Sequence, residues 1–325
     1  MNPSQFPKST TSEKRQASFT RVLEEIGAPT HDLLRIDLAA LSDLSPAQLA
    51  RFQAVWQEIP HERRQDLAAA LLELSEDRFD ITFNDIFRWM LHDEDARVRS
   101  LAIEGLWEDT NSRQITPLIS LLRNDPVAEV RAAAALSLGR FVLLGELEEI
   151  DVQAAARVEA ALRHAYRDDE YDPTVRRRLL ESLAYSGEDD IEEYILEAYN
   201  GDNPDMQISA VFAMGRSANK RWRPIVLAEL SSANDAIRFE AVRAAGELGL
   251  KGAVPDLIDL LGESDVELRD SAIWALGQIG GQQARRALRV CAKSEDEDLR
   301  EAALESLAEL DLFADLEDLE TLYIQ

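Results

Sequence analysis

The sequence predicts an all-α solenoid: about seven two-helix repeats stacked in a row, with a helical cap at each end. Three observations carry that reading. An apolar residue is followed at once by Arg or Gln at seven places, namely Val98, Val130, Val175, Met206, Ile237, Leu268 and Leu299. Small residues follow four and seven positions on, as Ala272 and Ala275 do after Leu268. The last four intervals in that series are each 31 residues, and a fixed period of about 20–50 residues marks stacked supersecondary units rather than one compact core. Composition agrees, because the 325 residues include only 14 Gly and 11 Pro and are rich in Ala, Leu, Glu and Arg, which favour helix.

In chain order, residues 1–18 are polar, with little to bury, and are expected to form a flexible lead. Residues 19–80 are expected to be a helical cap containing one degenerate repeat. Helical periodicity starts near Phe19, and Ser45-Pro46-Ala47-Gln48 has the form of a helix start. Ser caps, Pro takes the first helical position and Gln closes a capping box. The helix that follows places Leu49, Phe52, Val55 and Trp56 on one face, and Pro60 opens the next, with Leu67, Leu71 and Leu74.

The array itself spans 81–310. Asp95, Asp172, Asn203, Asn234, Asp265 and Asp296 stand three positions before the apolar residue, where their oxygens can accept orphan backbone N–H groups. Val127 alone breaks that rule. Gly139, Gly215, Gly246 and Gly277 sit nine after the apolar residue, where they permit close helix approach or a helix exit. Val130 and Val175 are 45 apart, an insertion of 14 residues expected as loop around Leu143–Asp151 and Tyr166–Asp172, within 141–172. Residues 311–325, with Leu312, Leu316, Leu319 and Tyr323 at helical spacing, are expected to form a C-terminal capping helix.

The run from Asp265 to Gly277, DVELRDSAIWALG, with the preceding helix Ala253–Leu261, resembles HEAT-like repeats of the phycobilisome-lyase type. The resemblance covers roughly residues 81–310. It implies a right-handed superhelix and a structural ladder of Arg99, Arg131, Arg176, Arg238, Arg269 and Arg300, each pairing with carboxylates or caps of neighbouring repeats. Gln207 departs from that pattern, so the ladder should be weakest at the fourth repeat. The resemblance also turns the residues two and six after the apolar position toward the concave side. In the fourth to sixth repeats these positions hold Ile208, Phe212, Phe239, Arg243 and Trp274. Aromatic side chains flanked by Arg suit a protein-binding hot spot.

Enzymatic readings find little. HEAT-like arrays include an iron hydroxylase acting on deoxyhypusine, which uses several His-Glu pairs, whereas this chain has only His61-Glu62. The four histidines, His31, His61, His92 and His164, share no repeat position. The acidic clusters Asp168-Asp169-Glu170 and Glu188-Asp189-Asp190 lack the spacing and glycine turn of an EF-hand and read as solvated loop charge. No catalytic residue, metal site or cofactor is therefore expected.

The formal net charge of −27 weighs against nucleic acid and anionic membrane as partners. It leaves a protein partner, with basic character, as the expectation. The 146–205 window contributes 18 acids against 6 arginines and offers a second contact region. Turns within repeats are acidic (Asp93-Glu94-Asp95, Glu295-Asp296-Glu297-Asp298), while those between repeats carry Arg216, Lys220, Arg221, Arg223, Lys251, Arg285 and Arg286. The lone Cys291 points to a reducing compartment. No run of 18 apolar residues exists, and Met1–Arg15 has no signal-peptide core. The sequence thus reads as a monomeric, cytoplasmic, non-catalytic interaction scaffold. The alternative is an accessory, lyase-like or other enzyme acting on a protein-bound prosthetic group.

Overall fold

The computed structural model describes residues 9–28, 37–168 and 171–323, and the described residues form seventeen α-helices joined by short turns, with no strand among them. His31 and the first eight residues of the lead lie outside that description. The chain divides into two compact units, one ending at Val175 and the other beginning at Arg176.

The first unit opens with α1 (Ser9–Gly27), α2 (Pro46–Trp56) and α3 (His61–Asp77). Helix α2 begins as its sequence predicts: the Ser45 hydroxyl accepts from the Gln48 amide, and the Gln48 side chain accepts from the Ser45 amide at 3.0 Å. Its buried Phe52 and Trp56 meet Trp89 of α4 (Asn84–Met90), with ring centroids 6.2 and 5.9 Å from it. Then come α5 (Ala96–Gly105), α6 (Ile115–Asn124), α7 (Ala128–Glu146) and α8 (Val152–Tyr166). Helix α9 (Pro173–Leu183) straddles the division. The second unit continues with α10 (Asp189–Asn200), α11 (Pro204–Arg216), α12 (Arg223–Glu229), α13 (Asp235–Glu247), α14 (Val254–Leu260), α15 (Val266–Ile279), α16 (Gly281–Cys291) and α17 (Glu297–Tyr323).

From α4 onward each consecutive pair of helices is one repeat. The marker residues Val98, Val130, Val175, Met206, Ile237 and Leu268 are all buried, as the periodicity requires, while Leu299 of the last repeat is only partly covered. The second helices pack on one another: α3 on α5 and α5 on α7 in the first unit, then α11 on α13, α13 on α15 and α15 on α17 in the second.

Asp95, Asp172, Asn203, Asn234, Asp265 and Asp296 all accept backbone N–H groups at the helix starts. Val127 cannot, and Asp125 takes over, accepting the Val127 amide at 3.0 Å. Removing one such cap by Asn234→Ala should cost about 1 kcal/mol, read as a lower urea midpoint with an unchanged slope.

Four expectations need correction. Helix α1 begins at Ser9, so residues 9–18 are helical rather than part of a flexible lead. The insertion is taken up largely as helix: α7 runs 19 residues to Glu146, through Leu143 and beyond the loop start expected there, and α8 runs 15. An apolar, Ala-rich stretch can continue a helix as easily as leave it. The C-terminal cap is not a separate helix, because α17 is continuous from the last repeat through Tyr323. Side chains from residue 313 on, including Leu316, Leu319 and Tyr323, lie outside the description. Finally, the third repeat carries Leu179, fully buried, where the others place a small residue.

Candidate functional site

The site is built on α11, α13 and α15, three consecutive second helices. Their close approach depends on glycine. A Cβ on Gly215 would fall 2.8 Å from the Ala244 Cα, and one on Gly246 would fall 2.8 Å from the Trp274 ring and 3.0 Å from the Ala275 Cα. Gly277 repeats the arrangement against Ser306 at 3.0 Å. Backbone-to-backbone contact of this kind brings side chains two and six after each marker onto adjoining rows.

All five side chains singled out at those positions (Ile208, Phe212, Phe239, Arg243 and Trp274) are partly exposed, neither sealed in the core nor free in solvent. The Arg216 guanidinium lies 5.2 Å from the Phe212 ring centroid, a cation–π contact, and Trp274 rests against Gly246. At the α9 edge of this face, Glu181 is buried and accepts from the Ser209 hydroxyl at 2.7 Å and from Arg178 at 2.5 Å, while Arg177 donates to Ser209 at 3.1 Å.

A second row was not anticipated. Residues ten after the marker meet their counterparts in the next repeat: Arg216 pairs with Glu247 at 3.3 Å, and Gln278 donates to Glu309 at 3.1 Å. In the first unit, burial lowers Arg140 from its usual value, and the charges of Asp109 and of Glu108, its counterpart in the preceding repeat, oppose that shift. The signal was present in the sequence as complementary polar residues about one repeat apart.

Burial raises Glu240 and Glu247 above the usual carboxylate range. For Glu240, the nearby charges of Glu181 and Glu247 add to the effect of burial and Arg243 opposes it. A group whose folded value is raised holds its proton more tightly when folded, so its charged form disfavours the fold. Stability tied to Glu240 should therefore rise as pH falls through its raised folded value. Glu240→Gln should raise the melting temperature at neutral pH, and that gain should shrink at mildly acidic pH.

The expected arginine ladder takes a partly different form. Arg99, Arg131, Arg238 and Arg300 each donate to the carbonyl six residues earlier, bracing the turn of their own repeat at 2.7–3.1 Å. Gln207 makes the same bond to the Gly201 carbonyl at 2.8 Å, so the brace survives at the fourth repeat and only the charge is lost. Links to the following repeat are seen at Arg99, which grips Asp125, and at Arg269, which reaches Asp296 at 3.3 Å. Arg176 is engaged as well. Sequence reasoning missed Arg64, whose buried guanidinium bonds the Ile59 and Gln57 carbonyls and Glu94 at 2.8–2.9 Å. It extends the ladder into the N-terminal cap without an apolar residue before it.

A polar cavity of about 410 Å³ lies beside that arginine, lined by Trp56, Arg64, Trp89, His92, Asp93 and Glu94. Its acids are committed: Asp93 accepts from the Trp56 indole at 2.7 Å and Glu94 from Arg64. Among the described residues no cluster of His, Cys, Asp and Glu is arranged to hold a metal ion, and no helix is long and apolar enough to cross a membrane.

The family model for HEAT repeats matches residues 84–184, 192–272, 223–308 and 254–323, together more than half of the chain. The chain belongs to the HEAT-repeat family. The resemblance read from the 265–277 motif thus holds for the fold. Among solved structures, the HEAT-repeat chain is similar to the complex of CpcE and CpcF of phycocyanin lyase from Nostoc sp. PCC7120. The identity is 19% and the TM-score 0.51, over 70% of this chain and 87% of that one. It is also similar to human deoxyhypusine hydroxylase in complex with glycerol, at 18% identity and TM-score 0.36 over 93% and 98% of the two chains. At these identities the likeness is one of fold. No curated protein sequence matches the chain.

Proposed function

We propose that this HEAT-repeat protein is a non-catalytic scaffold that holds a protein partner on the face formed by α11, α13 and α15, the concave side of its solenoid. One observation carries the reading. Ile208, Phe212, Phe239, Arg243 and Trp274 are all partly exposed and stand on three abutting helices. Large aromatic side chains and Arg dominate binding energy at protein interfaces, and a face fixed by backbone contact loses little freedom on binding.

The net charge of −27 supports a partner with basic character and disfavours nucleic acid or an anionic membrane. In this reading the chain works as a monomer in the cytoplasm, and the acidic 146–205 segment offers a second contact. The accessory-enzyme alternative has less support, because the acids of the polar cavity beside Arg64 are already engaged in bracing the fold.

A cross-linked pull-down from native lysate tests the proposal, comparing wild type with Phe212→Ala/Trp274→Ala. The expected result is a discrete protein partner lost from the variant at unchanged helicity. A partner retained by the variant would refute the assignment of the face.

A further inference from the structure

A groove of about 560 Å³ in the first unit lies where the C-terminal ends of α3 and α5 meet the loop before α4. Its apolar lining includes Leu72, Phe79, Ile81 and Trp107. Phe79 is 100% exposed and Trp107 46% exposed. A single exposed apolar side chain is ordinary, but here Phe79 and Trp107 line the same groove and leave a shared apolar surface open to solvent.

The groove is framed by close packing. Its floor at Gly105 is bare backbone, since a Cβ there would meet the buried Phe87 ring at 2.5 Å. Trp107 is backed by Arg140, whose guanidinium lies 5.8 Å from the ring centroid and donates to the Asp109 and Leu106 carbonyls. Beside Phe79, Arg78 and Asp80 pair at 2.6 Å.

The rim carries Glu76, Glu104 and Glu108, all exposed, and no cation lines the groove. Of the nearby cations, Arg78 pairs with Asp80 and Arg88 with Asp85 and Asp109, while Arg140, behind Trp107, is close enough to Asp109 and Glu108 for their charges to favour its own. None of the three rim carboxylates forms an ion pair among the described residues. The groove therefore combines an apolar floor with a net negative rim, three carboxylates against one flanking cation.

We propose that this groove is a second docking site, taking a basic peptide segment that inserts an aliphatic or aromatic side chain between Phe79 and Trp107 while its Lys or Arg residues pair with Glu76, Glu104 and Glu108. Apolar anchors supply the affinity, and the charge complementarity selects the partner and steers its approach. This site stands independently of the α11–α15 face.

The test uses the full chain labelled with 5-fluorotryptophan, with the Trp107 signal assigned through Trp107→Phe, and a short peptide of alternating Leu and Arg followed by fluorine NMR. The Trp107 signal should shift saturably. Phe79→Ser should weaken binding about tenfold, as loss of an interface anchor does. Replacing Leu by Ser in the peptide, or Glu104 and Glu108 by Gln in the protein, should have effects of similar size. Phe79 is fully exposed, so its substitution leaves the core intact. An unmoved Trp107 signal, a shift at Trp274 instead, or an affinity indifferent to Phe79→Ser would overturn the proposal, the last by assigning the binding to diffuse charge.

Discussion

Arg99→Met is expected to destabilise the first unit by about 3–5 kcal/mol, because it strands a buried carboxylate. The Arg99 and Asp125 side chains are 9% and 2% exposed, and they meet through two hydrogen bonds, Nε to Oδ2 at 2.7 Å and Nη2 to Oδ1 at 2.9 Å. The remaining guanidinium nitrogen braces the turn through the Asp93 and Glu94 carbonyls at 2.8 and 3.0 Å. With Met in place, Asp125 keeps the Val127 amide at 3.0 Å and loses both charge-assisted bonds. Arg99→Lys should fall between, since an ammonium cannot reproduce the planar two-bond grip. The exposed pair Arg78–Asp80 supplies the control, as Asp80→Asn should leave the urea midpoint nearly unchanged. Urea unfolding followed by circular dichroism compares all three. An Arg99→Met loss no greater than that of Asp80→Asn would contradict the account.

Gly246→Ala poses a contest between two effects. In an exposed helix the change would stabilise by about 1 kcal/mol through helix propensity. Here the new methyl would stand 2.8 Å from the Trp274 ring and 3.0 Å from the Ala275 Cα. The ring edge can shift a little, but backbone yields only if α15 moves away from α13. Overpacking of this kind costs about 1–3 kcal/mol, so the clash should win and the urea midpoint should fall. Because repeats rest only on their neighbours, hydrogen exchange should rise first in α13 and α15. A gain in stability would show that the two helices have room to spare.

Much of the fold was legible from residues alone, for a plain reason. A 31-residue spacing of buried residues, Asp or Asn at the helix starts and Pro at the first helical position each follow from a local requirement of the helix. The structure places them as the sequence predicts except at Leu299, which is only partly covered. What stayed hidden depends on meetings between repeats. Periodicity reports which stripe of a helix is buried but not which polar side chains meet across the seam. Arg216 with Glu247 and Gln278 with Glu309 therefore went unnoticed although they lie one repeat apart. Arg64 lacked the apolar neighbour that flags the other ladder residues. The insertion misled because residues that continue a helix also suit a loop adjoining one. For the proposed binding face, the sequence supplied five residues and their row, whereas their partial exposure and the raised carboxylates of Glu240 and Glu247 are properties of packing.

The central claim, that the α11–α15 face receives a protein partner, is tested most directly by site-specific photo-crosslinking in native lysate. A benzophenone side chain would replace Phe239 on that face or, as control, Val290 on α16, which is 73% exposed. The account predicts a discrete protein adduct from position 239, abolished by Phe212→Ala/Trp274→Ala, and none from position 290. An adduct from position 290 alone, or one from 239 that survives the double substitution, would contradict it.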